Sequence, residues 1–313
     1  MKNLTAIVMS LCMVFILTAC GSDKDLKQVT DDTTAKTETA QTASTTETTK
    51  GVYGKKVASI SIFLTGDLIA LGIKPDGTTT SDYLPITEAR YQNIEYLGFT
   101  KDPDMEALIG LQPEEIFIDA EFAEKLGLEK LEKIATTHVI NLDEGSWKDQ
   151  LRNISKVVDR EETAEEFIAS YDAKAKEVST LAKQAIGDGT VMAVRISAKG
   201  LRVYGMERPL GPILFEDLAL TPAKGVEAIT KNWENISKEV LPDFNADAIF
   251  VLVSSVDEGS EEVFEQLKSD PIWMGLKAVQ NDKVYVITEQ PWLDYSASGN
   301  KLALEDLERI LSQ

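Results

Sequence analysis

Residues 159–187 read DREETAEEFIASYDAKAKEVSTLAKQAIG, and the architecture follows from this stretch. Ala164, Phe167, Ile168, Tyr171, Ala175, Val178, Ala182 and Ala185 recur at the spacing that gathers them on one helical face. Asp159, with Glu162 three positions on, forms an Asp-capped variant of the capping box. No glycine or proline intervenes before Gly187. The pattern predicts one helix of roughly 26 residues, about 40 Å long. Such a helix acts as a stiff strut between two halves and limits their relative motion to a small rocking. The residues alone leave open that it packs within a single domain.

On both sides of the strut, short apolar strands alternate with helices, which predicts βαβ units and largely parallel sheets. In the N-terminal part, strands are expected at 57–62, 115–119 and 137–142, with helices at 67–72, 102–110, 125–135 and 147–158. Asp102-Pro103 reads as the cap and first residue of the 102–110 helix. In the C-terminal part, strands are expected at 191–196, 201–204, 248–253 and 283–287. Helices there are expected at 211–219, 237–242, 259–268 and 299–312. The fold class is therefore α/β, with two Rossmann-like lobes, 53–158 and 188–313, joined by the single helix of 159–187, and a cleft between the lobes.

An internal similarity supports two halves on one plan. Glu106 stands ten residues before Ile116-Phe117, and Glu239 stands ten residues before Ile249-Phe250. In each case a glutamate near a helix start precedes a turn and then an apolar strand.

The N-terminus sets the expected compartment. Lys2 is followed by an apolar run over residues 4–17 and then by Leu17-Thr18-Ala19-Cys20, too short a run to serve as a spanning helix. These four residues resemble a bacterial lipobox. The resemblance implies a signal peptide at 1–20, lipidation of Cys20 and an extracytoplasmic protein held to the cell membrane. Residues 21–52 are rich in Thr, Ala, Ser and charge and read as a disordered linker. Cys12 lies in the removed segment, so Cys20 is the only cysteine expected in the mature chain, and neither a disulfide nor a thiolate metal site is expected. The formal net charge of −20 argues against nucleic acid and against an anionic membrane surface as partners. A monomer is expected.

Several phrases resemble the substrate-binding proteins of ABC importers for iron siderophores, haem and vitamin B12. Leu71-Gly72-Ile73-Lys74-Pro75 is one. Others are Asp102–Leu108 with Leu111–Ile116, Leu201–Gly205, Gly211–Leu218 and Ile236–Glu239. No one motif is diagnostic; their order over about residues 55–313 carries the likeness. It implies capture of a small ligand between the lobes and delivery to a membrane permease, with Glu106 and Glu239 as the two docking carboxylates. A carboxylate at each lobe's rim suits a permease arginine. Each also suits an ordinary helix start.

The single histidine, His138, argues against a bare transition metal and reads as structural, so any iron would arrive with its coordination supplied by the ligand. No metal or cofactor is expected. An oxygen-rich ferric siderophore of the hydroxamate, carboxylate or catecholate type calls for arginines and aromatic walls. The leading candidate is Arg195, which interrupts an apolar strand; Arg202 and Tyr204 share one face of the next strand, and Trp292 precedes the last helix. Arg208, Tyr295, Tyr83 and Arg90 complete the set. Each has a plainer structural reading, Arg195 as the partner of a buried acid. Cobalamin and haem remain alternatives on the same fold. No nucleophile elbow, phosphate-binding glycine loop or HExxH stretch is present, so an enzyme is not expected, although carboxylate chemistry stays open.

Overall fold

The computed structural model describes residues 53–84, 86 and 88–312. The expected signal peptide (1–20), Cys20 and the expected linker (21–52) lie outside the described residues. Five parallel strands form the N-terminal sheet: β1 (Val57–Ile60), β2 (Gly77–Thr80), β3 (Glu95–Phe99), β5 (Glu115–Asp119) and β6 (Thr136–Ile140). The short β4 (Asp102–Pro103) is antiparallel to β3, giving the order β4-β3-β2-β1-β5-β6. The connecting helices are α1 (Ile62–Ala70), α2 (Met105–Leu111), α3 (Ala120–Leu126), α4 (Leu128–Glu132) and α5 (Trp147–Val157).

The strut is α6 (Glu161–Ile186), 26 residues long as its spacing predicts. Its buried face is Ala164, Ile168, Tyr171, Ala175, Val178, Ala182 and Ile186, with Ile186 taking the inward place expected of Ala185. The start differs from expectation. Arg160 is the N-cap without a side-chain cap bond, and Asp159 sits one residue earlier at φ +53°, so Asp159 does not form the box with Glu162.

Beyond α6, the C-terminal sheet comprises β7 (Thr190–Ser197), β8 (Gly200–Tyr204), β9 (Thr221–Pro222), β10 (Trp233–Ile236), β11 (Ala248–Val253) and β12 (Val284–Ile287). The order is β10-β8-β7-β11-β12, with β9 beside β7. β7, β11 and β12 are parallel, whereas β8 and β10 continue the sheet antiparallel. The helices are α7 (Leu241–Phe244), α8 (Ser260–Lys268), α9 (Pro271–Met274), α10 (Lys277–Gln280), α11 (Glu289–Trp292) and α12 (Ala297–Leu311). The internal similarity is structural: β5 and β11 are the strands after Glu106 and Glu239, and each is flanked by two parallel neighbours in its sheet. Their residues are almost wholly buried, which is why both read as unbroken apolar runs.

Three further expectations are corrected. Asp102-Pro103 is the strand β4, and Asp104 caps α2 by accepting the Glu106 and Ala107 amides. The helix expected at 125–135 is two short ones broken at Gly127, whose φ is +86°. The helix expected at 211–219 is a π-helical turn, Pro212–Asp217.

One apolar core runs from α1 and α5 through α6 to α12 and the near face of the second sheet. A second bond between the lobes is polar. The C-terminal helix packs on α1 so closely that a Cβ on Gly66 would meet Ser296 Oγ at 2.0 Å. The Ala297 amide donates to Asp67 Oδ1 at 2.7 Å, and Ser298 Oγ donates to the Gly66 carbonyl at 2.7 Å. The lobes are thus held by the rod and by this knot.

Candidate functional site

Two adjoining cavities open between the lobes. The larger, about 780 Å³, is bounded on the N-terminal side by Leu142–Lys148 territory and on the C-terminal side by Met206–Pro209, Thr230, Asn232 and Tyr295. The smaller, about 230 Å³, lies over the N-terminal sheet between Thr80–Tyr83, Thr100, Asp119 and Phe122. Arg208 and Tyr295 line both. Topology explains the N-terminal wall. Ser61, Ser81, Thr100, Asp119 and Leu142 lie at or just beyond the carboxyl ends of the five parallel strands, where open α/β sheets leave a crevice.

The residues at the junction belong to both halves. Arg208 donates through Nη1 to the Leu142 carbonyl at 2.6 Å and pairs through Nη2 with Asp143. Its guanidinium lies 4.5 Å from the Tyr295 ring centroid, and Tyr295 in turn stacks on Phe63 at 3.8 Å. Burial pushes the Tyr295 hydroxyl well above the usual tyrosine range, with Arg208 opposing, so the ring presents a neutral phenol. Tyr83, 39% exposed, faces the smaller cavity from the first lobe. Burial raises its hydroxyl, while a hydrogen bond with Ser81 and the Arg208 guanidinium across the seam between the lobes oppose this.

The remaining arginines and Trp292 do not line either cavity. Arg195 is buried and pairs with Glu289, with Nη2 also donating to Ser254 Oγ at 2.9 Å. Glu289 is held further by the Ser255 amide at 2.9 Å. A charge placed inside a strand needs a partner, and here the acid of α11 supplies it. Tyr204 is packed behind the seam, its hydroxyl raised to about 12 by burial against the pull of Arg195 and Arg202. Arg202 lies on the β8–β10 ribbon, 4.0 Å over the Trp233 ring and 3.3 Å from Asn235 Oδ1. Trp292 is core, its Nε1 donating to Asp306 Oδ2 at 2.9 Å. Arg90 belongs to the interlobe knot, where Asp294 and Glu88 pair with it and Tyr91 donates to Asp294 Oδ2 at 2.7 Å.

Glu106 and Glu239 are exposed, in the first turn of α2 and in the 3-10 turn Lys238–Val240 before α7. His138 sits on β6 with its ring 4.7 Å from Phe117 and Nε2 3.6 Å from Glu115. Among the described residues no cluster of three or more His, Cys, Asp or Glu is arranged to hold a metal ion. Sequence reasoning missed Phe63, Phe122, Lys148 and Asn232 as cavity residues. The strand-end rule finds Phe63 and Phe122, which open α1 and α3 just after β1 and β5. Nothing local marks Asn232.

The sequence model of the periplasmic binding protein family matches residues 57–291. The chain is 29% identical over 327 residues to the probable siderophore-binding lipoprotein YfiY of Bacillus subtilis, covering 98% of this chain and 97% of that protein. It is 29% identical over 292 residues to the iron(3+)-hydroxamate-binding protein FhuD of Bacillus subtilis, covering 91% of this chain and 90% of that protein. Among solved structures, Staphylococcus aureus SirA complexed with staphyloferrin B superposes with a TM-score of 0.70 at 25% identity, covering 82% of this chain and 93% of that one.

Proposed function

The chain belongs to the periplasmic binding protein family, and from that membership we propose that it captures a ferric siderophore between its lobes and hands it to an ABC permease. The observation that carries this reading is the roughly 780 Å³ interlobe cavity, joined at Arg208 and Tyr295 to a second one with aromatic walls. That volume falls in the range of small-ligand sites. The curated relatives named above, one a siderophore-binding lipoprotein and one a ferric hydroxamate-binding protein, match over nearly the whole chain and point the same way. In this reading Arg208, Tyr295 and Tyr83 contact the ligand, iron arrives already coordinated, and the protein binds without turnover. Arg195, Tyr204 and Arg90 support the site from behind, while Arg202 and Trp292 hold the second lobe. Cys20 carries the lipid anchor on the extracytoplasmic face. Glu106 and Glu239 dock on the permease.

Trp147 lines the larger cavity, so quenching of intrinsic tryptophan emission is a direct readout. Saturable quenching by ferric siderophores, with the ligand recovered chemically unchanged, is the expected result. Quenching by haem or cobalamin alone, or conversion of the ligand, overturns the reading.

A further inference from the structure

Building on the siderophore reading, we propose that this cleft selects ferric complexes of neutral or positive net charge, of the hydroxamate class, over polyanionic catecholate or carboxylate complexes. The basis is which charges face the cavities and which are already spent. Asp143, Glu207, Glu216 and Asp217 line the larger cavity, against Lys148 and Arg208. Asp82, Asp119 and Glu121 line the smaller one, against Lys101 and the same Arg208. Seven carboxylates therefore face three cations among the described lining residues, although one of the seven, Glu121, is paired with Lys125 outside the lining.

Each of the three cations is occupied. Lys101 pairs with Asp82. Lys148 lies 2.6 Å from Asp172 and 3.4 Å from Asp217. Arg208 pairs with Asp143 and gives a second donor to the Leu142 carbonyl. The two arginines nearest the seam from behind, Arg195 and Arg90, are neutralised by Glu289 and by Asp294 with Glu88. Nothing comparable offsets Glu207 and Glu216, which are exposed and have no cationic partner among the described residues. Burial raises the Asp119 carboxyl and the nearby Glu121 and Asp143 charges add to this, while the Glu121 amide and Arg208 oppose it.

The ligand chemistry then follows from charge balance. Three singly charged hydroxamates cancel the charge of iron(III), whereas three doubly charged catecholates leave a trianion. Walls of one sign concentrate ligands of the other and repel their own. A trianion would have to break a carboxylate pair at Arg208, Lys148 or Lys101 to find a cation. A neutral hydroxamate complex needs only hydrogen-bond donors and aromatic faces, and Tyr83, Asn232 and Tyr295 provide these.

The test uses one ligand frame at three charges: ferrioxamine B with its free ammonium, its neutral N-acetyl form and its anionic N-succinyl form. Ferri-bacillibactin is the trianionic probe. Affinities are read by tryptophan quenching at low and high salt. The expected order is cation and neutral form tightest, the anion about tenfold weaker and the trianion weaker still, with the spread shrinking in salt. Glu207→Gln with Glu216→Gln is expected to narrow the cation-to-anion ratio at least about threefold. Equal or tighter binding of ferri-bacillibactin, or a ratio unmoved by the double substitution, overturns the charge assignment and leaves the siderophore reading standing. Failure of every probe to bind overturns both.

Discussion

Arg208 of the second lobe reaches the backbone carbonyl of Leu142 in the first, at 2.6 Å, across the junction of the two cavities. Its guanidinium plane is packed on Tyr295 at the same time. One side chain therefore reports on both lobes and on the ligand space.

Arg208→Ala is expected to weaken ligand affinity by about tenfold or more, because the guanidinium at the centre of the site is lost, with the donors not already given to Leu142 and Asp143 and its face against Tyr295. Arg208→Lys restores charge but neither the fork nor the stacked plane, so it should recover little of that loss. The thermal midpoint of the ligand-free protein should shift by only a few degrees, since Asp143, the ion-pair partner, is itself exposed. Isothermal titration beside a thermal melt checks both statements; unchanged affinity in the alanine variant removes Arg208 from the site.

Arg195 makes the opposite case. Arg195→Met leaves Glu289 buried without its cation and should destabilise the fold by about 3–5 kcal/mol. Pairing it with Glu289→Leu removes the stranded charge and should return a large part of that loss. Urea denaturation of the single and double variants decides. A single variant as stable as the parent contradicts the pairing, and a collapse of affinity with stability intact makes Arg195 a ligand contact after all.

The strut, the α/β class and the correspondence of β5 with β11 were legible because they depend on repeated spacing: apolar residues returning every three or four positions, or filling a strand buried on both sides. The strand β2 was not, because its sequence is Gly-Thr-Thr-Thr. Those threonines are buried yet satisfied from outside the strand, Thr78 by Thr65 of α1 at 2.7 Å and Thr79 by Thr100 beyond β3 at 2.9 Å. Hydroxyl pairing of that kind leaves no apolar signature. The site was legible in composition and much less in rank. Arg195 drew attention because a charge interrupts an apolar strand, but the partner that explains it, Glu289, stands ninety-four residues away. Arg208, Tyr295 and Tyr83 sit in irregular segments where periodicity says nothing, and only the fold brings them together.

Glu106 and Glu239, the proposed docking residues, line neither cavity and are exposed, so binding and delivery should separate. Glu106→Ala and Glu239→Ala, singly and together, are expected to leave ligand affinity unchanged while uptake of radiolabelled ferric siderophore into cells falls, most steeply for the double variant. An exposed charge-assisted contact to arginine is the physical basis. Normal uptake by the double variant would return both residues to ordinary helix-start acids.

Asp67 carries a pH signature of the interlobe knot. Burial pushes its carboxyl up to about 8, the nearby Asp294 adds to this, and the Ala297 amide and Arg90 only partly oppose it. In the unfolded chain the same group titrates near 4, about 3.9. Between these two values the folded protein holds a proton that the unfolded chain has released, so this group's contribution to stability is full below about pH 4 and declines as pH rises toward about 8. The slope approaches about 1.4 kcal/mol per pH unit inside that window. Asp67→Asn keeps an oxygen for the Ala297 amide and carries no charge at any pH. Its stability relative to the parent should therefore be lowest near pH 4 and grow steadily to pH 8, then level off. Melts at unit pH intervals measure that difference directly, and parallel curves for the two proteins would mean that Asp67 is ionised in the fold and that the knot binds it as a carboxylate.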